Sequence, residues 1–141
     1  MAAFVKYEIL SENIAKKVHA FHAAGDTLNV MLSNTAPVVG TDQIRSGASE
    51  IAGGNGYTSG GADTQNDTSR TGGTTSVTGV DIVWTASGGS IATFRYAILF
   101  DDTPTSPVDP LIGYWDYGSS IAPATGETFT VDFGTSMFTI A

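Results

Sequence analysis

Two neighbouring segments of alternating apolar residues constrain the fold of this chain more than any other feature. Residues 93–100 read Thr-Phe-Arg-Tyr-Ala-Ile-Leu-Phe, and residues 111–118 read Leu-Ile-Gly-Tyr-Trp-Asp-Tyr-Gly. Side chains alternate between the two faces of a strand, so each segment is typical of a strand with a strongly apolar face. Together they hold six of the fourteen aromatic side chains, which bury the most area each. We therefore predict that they form the central hairpin of an all-β core.

The alternation also assigns side chains to faces. In the first segment one face carries Phe94, Tyr96, Ile98 and Phe100, and the other carries Arg95, Ala97 and Leu99. In the second segment one face carries Leu111, Trp115 and Tyr117, and the other carries Ile112, Tyr114 and Asp116. A guanidinium group on such a strand usually pairs with a carboxylate. Arg95 and Asp116 are therefore the predicted structural pair across the hairpin, and a contact between Arg95 and a neighbouring subunit is the alternative.

Turn signals divide the rest of the chain into short strands. We predict a strand at 28–32, another that ends at Trp84, and a closing hairpin of residues 128–133 and 136–140 around Gly134. Charged residues make up only 14% of the chain, against ~25% in an ordinary soluble domain, and Thr, Ser and Gly are abundant instead. A length of 141 residues fits one domain with a substantial core. The prediction is a jelly-roll β-sandwich of about eight strands, with its body at 26–141.

Residues 1–25 are predicted to form an N-terminal arm with a short amphipathic helix at about 11–23. Ser11 is a good N-cap, and Gly25 is a plausible end signal. Apolar residues recur at helical spacing, and lysines lie on the polar face. Because a compact sandwich does not need this apolar stripe, we interpret it as a surface for another subunit. The predicted contact residues are Leu10, Ile14, Lys17, Val18 and Phe21.

Charge and composition exclude several classes of protein. The net charge is −8, and the few lysines lie in the arm, so the body lacks the basic clusters that nucleic-acid binding requires. An acidic protein surface remains a possible partner for the arm. There are no cysteines, so disulfides and thiolate metal sites are absent. No run of ~18 apolar residues and no signal peptide is visible, which predicts no membrane partner.

Candidate chemical groups are sparse. His19 and His22 lie about one helical turn apart, but no other histidine or cysteine completes a metal site, so we expect them at the surface or in an interface. Asp101, Asp102 and Asp109 crowd one loop without matching a calcium-binding pattern, and a solvated loop is the favoured interpretation. We predict no cofactor, no metal and no catalytic residue.

Glycine-rich residues 51–61 lack the Gly-Lys-Ser/Thr sequence of a phosphate-binding loop, and we expect them to be structural. No serine lies in a nucleophile motif, and the glutamates are too scattered to suggest a catalytic pair.

An ordered set of segments covering nearly the whole chain resembles the capsid cement, or decoration, proteins of tailed bacteriophages. The segments are residues 28–37, 50–61, 83–100, 111–118 and 126–133. The resemblance implies a jelly-roll protein on the outer surface of an icosahedral virion, made in the host cytoplasm. It would bind the major capsid protein and bridge its subunits, and it would associate with itself, as a homodimer or alternatively as a trimer.

The resemblance implies no catalytic residue. The alternative interpretation is a receptor- or carbohydrate-binding module of a phage head or tail fibre. Aromatic side chains that stack on sugar would support it, and the candidates are Tyr114, Trp115 and Tyr117.

Overall fold

A computed structural model describes residues 2–141, and Met1 of the predicted arm lies outside them. Over these residues the fold is an all-β sandwich with one short α-helix, which confirms the predicted fold class. The strands number ten rather than about eight: β1 (Val5–Lys6), β2 (Leu28–Ser33), β3 (Ala62–Asp63), β4 (Asp67–Thr71), β5 (Thr74–Thr78), β6 (Ile82–Thr85), β7 (Phe94–Asp101), β8 (Leu111–Ile121), β9 (Thr128–Val131) and β10 (Phe138–Ile140). The helix α1 spans Ile9–Ala15, and a 3-10 turn spans Arg45–Gly47.

The strands form three antiparallel sheets. The largest has five strands in the order β1-β8-β7-β2-β3. A second sheet has the order β10-β5-β4, and a third contains β6 and β9. The two smaller sheets supply the layer that packs on one face of the five-stranded sheet, because residues from all three sheets share one apolar core.

The five-stranded sheet is buried on both faces. Its first face carries Val30, Leu99 and Ile112 into the main core, which they share with residues of the smaller sheets. Its second face carries Met31, Ile98 and other side chains into a smaller core that also contains Tyr7, Ala48, Phe100 and Leu111. Strands that are buried on both faces have sequences of nearly continuous apolar residues. Strands β2 and β7 fit this pattern.

The predicted central hairpin is confirmed, but its face assignment is partly wrong. Strands β7 and β8 pair antiparallel, and the register shifts between Phe94 and Tyr96 and again between Leu99 and Phe100. The first shift places Phe94 in the main core with Ala97 and Leu99, away from Ile98 and Phe100. The second shift gives β8 one extra residue there. As a result Leu111 lies in the smaller core, whereas Trp115 lies in the main core.

The predicted closing hairpin around Gly134 is wrong. Strand β9 pairs with β6, whereas β10 pairs with β5, so the two segments belong to different sheets. The backbone N–H of Met137 donates to Val77, which attaches the last strand to its sheet immediately after the turn. Gly134 has φ +62° and supports a turn that redirects the chain between sheets.

The helix prediction at 11–23 is also wrong in its bounds, because α1 ends at Ala15. Lys17 has φ +61°, its N–H donates to Ile14, and the N–H of Val18 donates to Asn13. These are the two hydrogen bonds of a Schellman motif, in which the left-handed position usually holds glycine. A lysine occupies that position here, so no glycine marks the end of the helix before Gly25. None of the helices in residues 2–141 has the length and hydropathy needed to span a membrane.

Gly61 marks the closest approach of the glycine-rich segment to the sheet. Its φ is +74°, and an added Cβ would lie 1.8 Å from the carbonyl oxygen of Val30 in β2. Two constraints therefore act there, the left-handed backbone and direct contact with a central strand. Gly72, in the turn between β4 and β5, has φ +58° with no atom within 4 Å of the added Cβ.

Alanine substitutions at these two glycines distinguish the cost of backbone strain from the cost of steric overlap. We expect Gly72→Ala to lower the free energy of unfolding by about 1–2 kcal/mol, the cost of a left-handed alanine. Gly61→Ala should cost at least ~3 kcal/mol, because the methyl group must also displace β2. Urea unfolding of both variants measures the difference, and equal losses would contradict close packing at Gly61.

Candidate functional site

The N-terminal arm folds onto the body instead of projecting from it. Strand β1 pairs with β8, and the N–H of Tyr7 donates to Ile112 at 3.0 Å. The Tyr7 side chain is fully buried in the smaller core. The arm therefore covers part of the second face of the five-stranded sheet.

The predicted contact residues divide into buried and accessible side chains. Leu10 and Phe21 belong to the protein's own core, so in the folded chain they are not available to a partner. Val18 is half-buried, whereas Lys17 is exposed. Ile14 is 36% exposed, a large value for an isoleucine. The apolar stripe thus packs mainly inward, because α1 is short and lies against the body.

A groove of about 620 Å³ lies beside the arm. It is lined by Phe4, Lys6, Leu10, Ser11, Ile14 and the C-terminal residues 138–141. Strands β1 and β10 contribute to its walls, and each is the outermost strand of its sheet. An outermost strand has one row of backbone N–H and C=O groups without a strand partner, and such a row can pair with another chain. The groove therefore combines apolar side chains with unpaired strand edges.

A second pocket of about 190 Å³ lies between the central hairpin and β9. Its lining includes three aromatic rings, those of Trp115, Tyr117 and Phe129, and the side chain of Arg95. Tyr117 is 56% exposed, and its ring centroid lies 5.5 Å from that of Phe129. Trp115 is almost completely buried, and its indole N–H has no hydrogen-bond partner among the described residues. Of the predicted aromatic candidates, Tyr114 does not line this pocket and packs against the smaller core.

The predicted Arg95–Asp116 pair is present. Arg95 Nε lies 2.8 Å from one carboxylate oxygen of Asp116, and a terminal guanidinium nitrogen lies 3.1 Å from the other. The hydrogen bonds from Arg95 and from the N–H of Gly118 hold the pKa of Asp116 below its usual range. Both side chains are about two-fifths exposed, so this bidentate pair positions Arg95 at the pocket more than it stabilises the fold.

His19 lies in a buried polar cluster, which corrects the expectation of a surface or interface histidine. Its side chain is fully buried, and Asp101 accepts a hydrogen bond from Nδ1 at 2.7 Å. One ligand atom from each of His19, Asp26 and Asp101 lies within 4.8 Å of the other two. The pKa of Asp101 is raised to about 6, chiefly by burial; the hydrogen bond from His19 opposes the rise, and Asp26 contributes to it. The cluster joins the segment after α1 to the end of β7.

The three loop aspartates have different environments. Asp101 is buried against His19, whereas Asp102 is exposed. Asp109 lies 3.8 Å from the guanidinium group of Arg45. The expectation of one solvated loop is therefore wrong for Asp101, because its carboxylate turns inward to the cluster.

Glu50 anchors the glycine-rich segment. It accepts hydrogen bonds from Arg45 at 2.8 Å, from the Tyr57 hydroxyl at 2.7 Å and from the N–H of Gly60 at 2.6 Å. Tyr57 in turn accepts from the N–H of Leu32 in β2. Burial alone would raise the pKa of Glu50, but these donors outweigh it and hold the pKa below its usual value. The segment is thus structural, in agreement with the sequence interpretation.

Comparisons with protein-family models, with curated proteins and with solved structures give no match for this chain.

The Glu50 network predicts a specific pH dependence. We expect Glu50→Gln to lower the free energy of unfolding at pH 7 by about 1.5–3 kcal/mol, because hydrogen bonds to a charged group are lost. A carboxyl group with a lowered native pKa stabilises above its unfolded pKa, near 4.3, and this contribution is lost as the pH falls through the native value. The deficit of the variant should therefore shrink below about pH 4. Urea titrations from pH 3 to pH 7 measure it.

Glu12→Gln is the matched control, because Glu12 forms only an exposed pair with Lys16. A deficit in Glu50→Gln that does not change between pH 3 and pH 7 would contradict an ionised Glu50 as the anchor.

Proposed function

We propose that this protein is a capsid cement protein, which binds the outer surface of an icosahedral phage head and bridges major capsid subunits. The observation that carries the proposal is the groove beside the arm, where apolar side chains meet two unpaired strand edges. The resemblance of five ordered sequence segments to cement proteins and the all-β fold support it. The proposed activity is binding, with no catalytic step.

The groove fits such a role in physical terms. An extended segment of a capsid subunit would add to the edge of β1 or β10, and its apolar side chains would cover Ile14. A single site of this size gives modest affinity, but self-association of the cement protein multiplies the contacts with a repeating lattice. In this proposal the protein acts as a homodimer, or alternatively as a trimer.

The distribution of charge suggests the character of the partner surface. The arm carries Lys6, Lys16 and Lys17, and the first two line cavities at its surface. The body beyond the arm holds only three basic residues against twelve acidic ones. An acidic capsid surface would repel the acidic body of this protein but not its arm. The arm should therefore face the capsid if the capsid surface is acidic.

Point substitutions test this proposal better than deletion of the arm, because deletion would also remove Tyr7, Leu10 and Phe21 from the cores. We expect Ile14→Asp to reduce binding to phage heads assembled without this protein by at least tenfold, because a charge would enter an apolar contact. Val83→Asp is the matched control, since Val83 is 57% exposed on β6, away from the groove. Co-sedimentation with heads measures binding, and light scattering reports the oligomeric state.

Both variants should keep the thermal midpoint of the parent within a few degrees, because both positions are exposed. If Ile14→Asp decorates heads as well as Val83→Asp does, the groove is not the capsid contact.

A second candidate function is binding of carbohydrate, for which the aromatic pocket is the specific observation. Sugar rings stack on exposed aromatic faces, and Tyr117 offers such a face beside Arg95. This candidate would make the protein a receptor- or carbohydrate-binding module of a head or tail fibre. It requires no use of the groove.

Fluorescence distinguishes the second candidate. In Trp84→Phe protein the remaining tryptophan is Trp115, which lines the pocket. If the pocket binds sugar, a panel of host-surface saccharides should change its emission in a saturable way, and Tyr117→Ala should remove the change. Tyr114→Phe is the control on the opposite face of the sheet. An unchanged emission, or an equal response in Tyr117→Ala, would reject this candidate.

A further inference from the structure

We propose that His19, Asp26 and Asp101 form a binding site for one divalent transition-metal ion, with Zn²⁺ as the best fit. The site is independent of the groove and of the proposed capsid role. Its three residues bring their ligand atoms within 4.8 Å of one another. They come from two parts of the chain, the segment after α1 and the end of β7, which the fold brings together.

The type of ligand atoms favours a transition metal. One imidazole nitrogen and two carboxylate oxygens are ligands that zinc accepts, and three protein ligands leave a fourth position for water. Calcium and magnesium prefer sites made only of oxygen, so the buried imidazole selects against them.

The charge of the cluster supports a cation. The cluster places two aspartates beside one imidazole, and the Asp101 side chain has no exposure to solvent. Charged groups in such positions are costly unless they are paired or bound to metal. The lysines and arginines of the chain pair elsewhere or lie at the surface: Arg45 pairs with Glu50, Arg95 with Asp116 and Lys16 with Glu12. One divalent cation would neutralise both carboxylates.

The histidine side chain is fully buried, and its Nδ1 faces Asp101 in the cluster. A buried imidazole held beside carboxylates is a ligand that zinc accepts. The imidazole stacks on Phe21 with ring centroids 5.0 Å apart, and this contact holds the plane of the ring.

Between His19 and Asp101 the geometry requires only a small adjustment. Ligands ~2.0–2.2 Å from tetrahedral zinc lie roughly 3.4 Å apart. In the structure Nδ1 of His19 and the Asp101 oxygen lie 2.7 Å apart and share a hydrogen bond. Metal binding would replace the shared proton and increase the distance between these two atoms by less than an ångström. Asp26 is only half-buried, so it marks the side from which an ion can enter.

The test uses the full-length, untagged protein after treatment with a chelator. Calorimetric titration with ZnCl₂ at pH 7.5 should give one ion per chain. Zinc at a hundredfold excess over its Kd should raise the Tm by roughly 5–10 °C, because the ion binds only the folded chain. Asp26→Asn and His19→Gln should each weaken binding at least tenfold. CaCl₂ in place of ZnCl₂ should have little effect.

Two control variants separate the cluster from nonspecific binding. His22→Gln removes the other histidine, which is exposed, and Asp102→Asn removes the exposed carboxylate next to Asp101. Both should bind zinc as the parent does. If the parent binds no zinc, the proposal fails whether or not the variants fold. If Asp26→Asn and His19→Gln bind as tightly as the controls, the ion lies elsewhere and the proposal also fails.

Discussion

The rest of the structure depends on the burial of β7 on both faces. Leu99 faces the main core and Ile98 and Phe100 face the smaller one, so no side of the strand is left for solvent. A sheet in this state must be covered by a layer on each side. The smaller sheets provide one layer. The other includes Tyr7 of the arm and Ala48 of the long connection after β2, so these irregular segments are required parts of the fold.

This requirement explains which parts of the fold could be predicted. Alternation within a strand is local, so the sequence predicted the hairpin, its antiparallel pairing and the Arg95–Asp116 contact. A register shift does not change the composition of a strand, so the displacement of Phe94 to the main core left no signal. The early end of α1 was hidden in a similar way, because Lys17 takes the left-handed position that glycine usually marks. Local patterns also do not predict which strands pair. Strands β9 and β10 follow each other in the chain but pair in different sheets.

The candidate sites were less predictable, and for a different reason. A stripe formed by Leu10 and Phe21 has the same pattern whether it meets the protein's own core or a neighbouring subunit. Only the fold decides between these outcomes, and here both side chains are internal. The cluster around His19 involves a contact across 82 positions of sequence. Histidine spacing alone treats His19 and His22 alike, although His22 is exposed. Only the tertiary structure shows that carboxylates lie beside His19.

The position of the arm also bears on how the proposed capsid contact would gain affinity. Association is weakened when a binding segment must be ordered at the moment of contact. Here one end of the arm is held by its pairing with β8, and the segment after α1 is held by His19 against Asp101. Ile14 lies between these two attachments and β1 is part of the first, so the groove is preorganised before a partner arrives. A metal at the His19 cluster would strengthen the second attachment without adding to the groove. It would therefore act on the stability of the arm, and the specificity of the contact would still come from the strand edges and from Ile14.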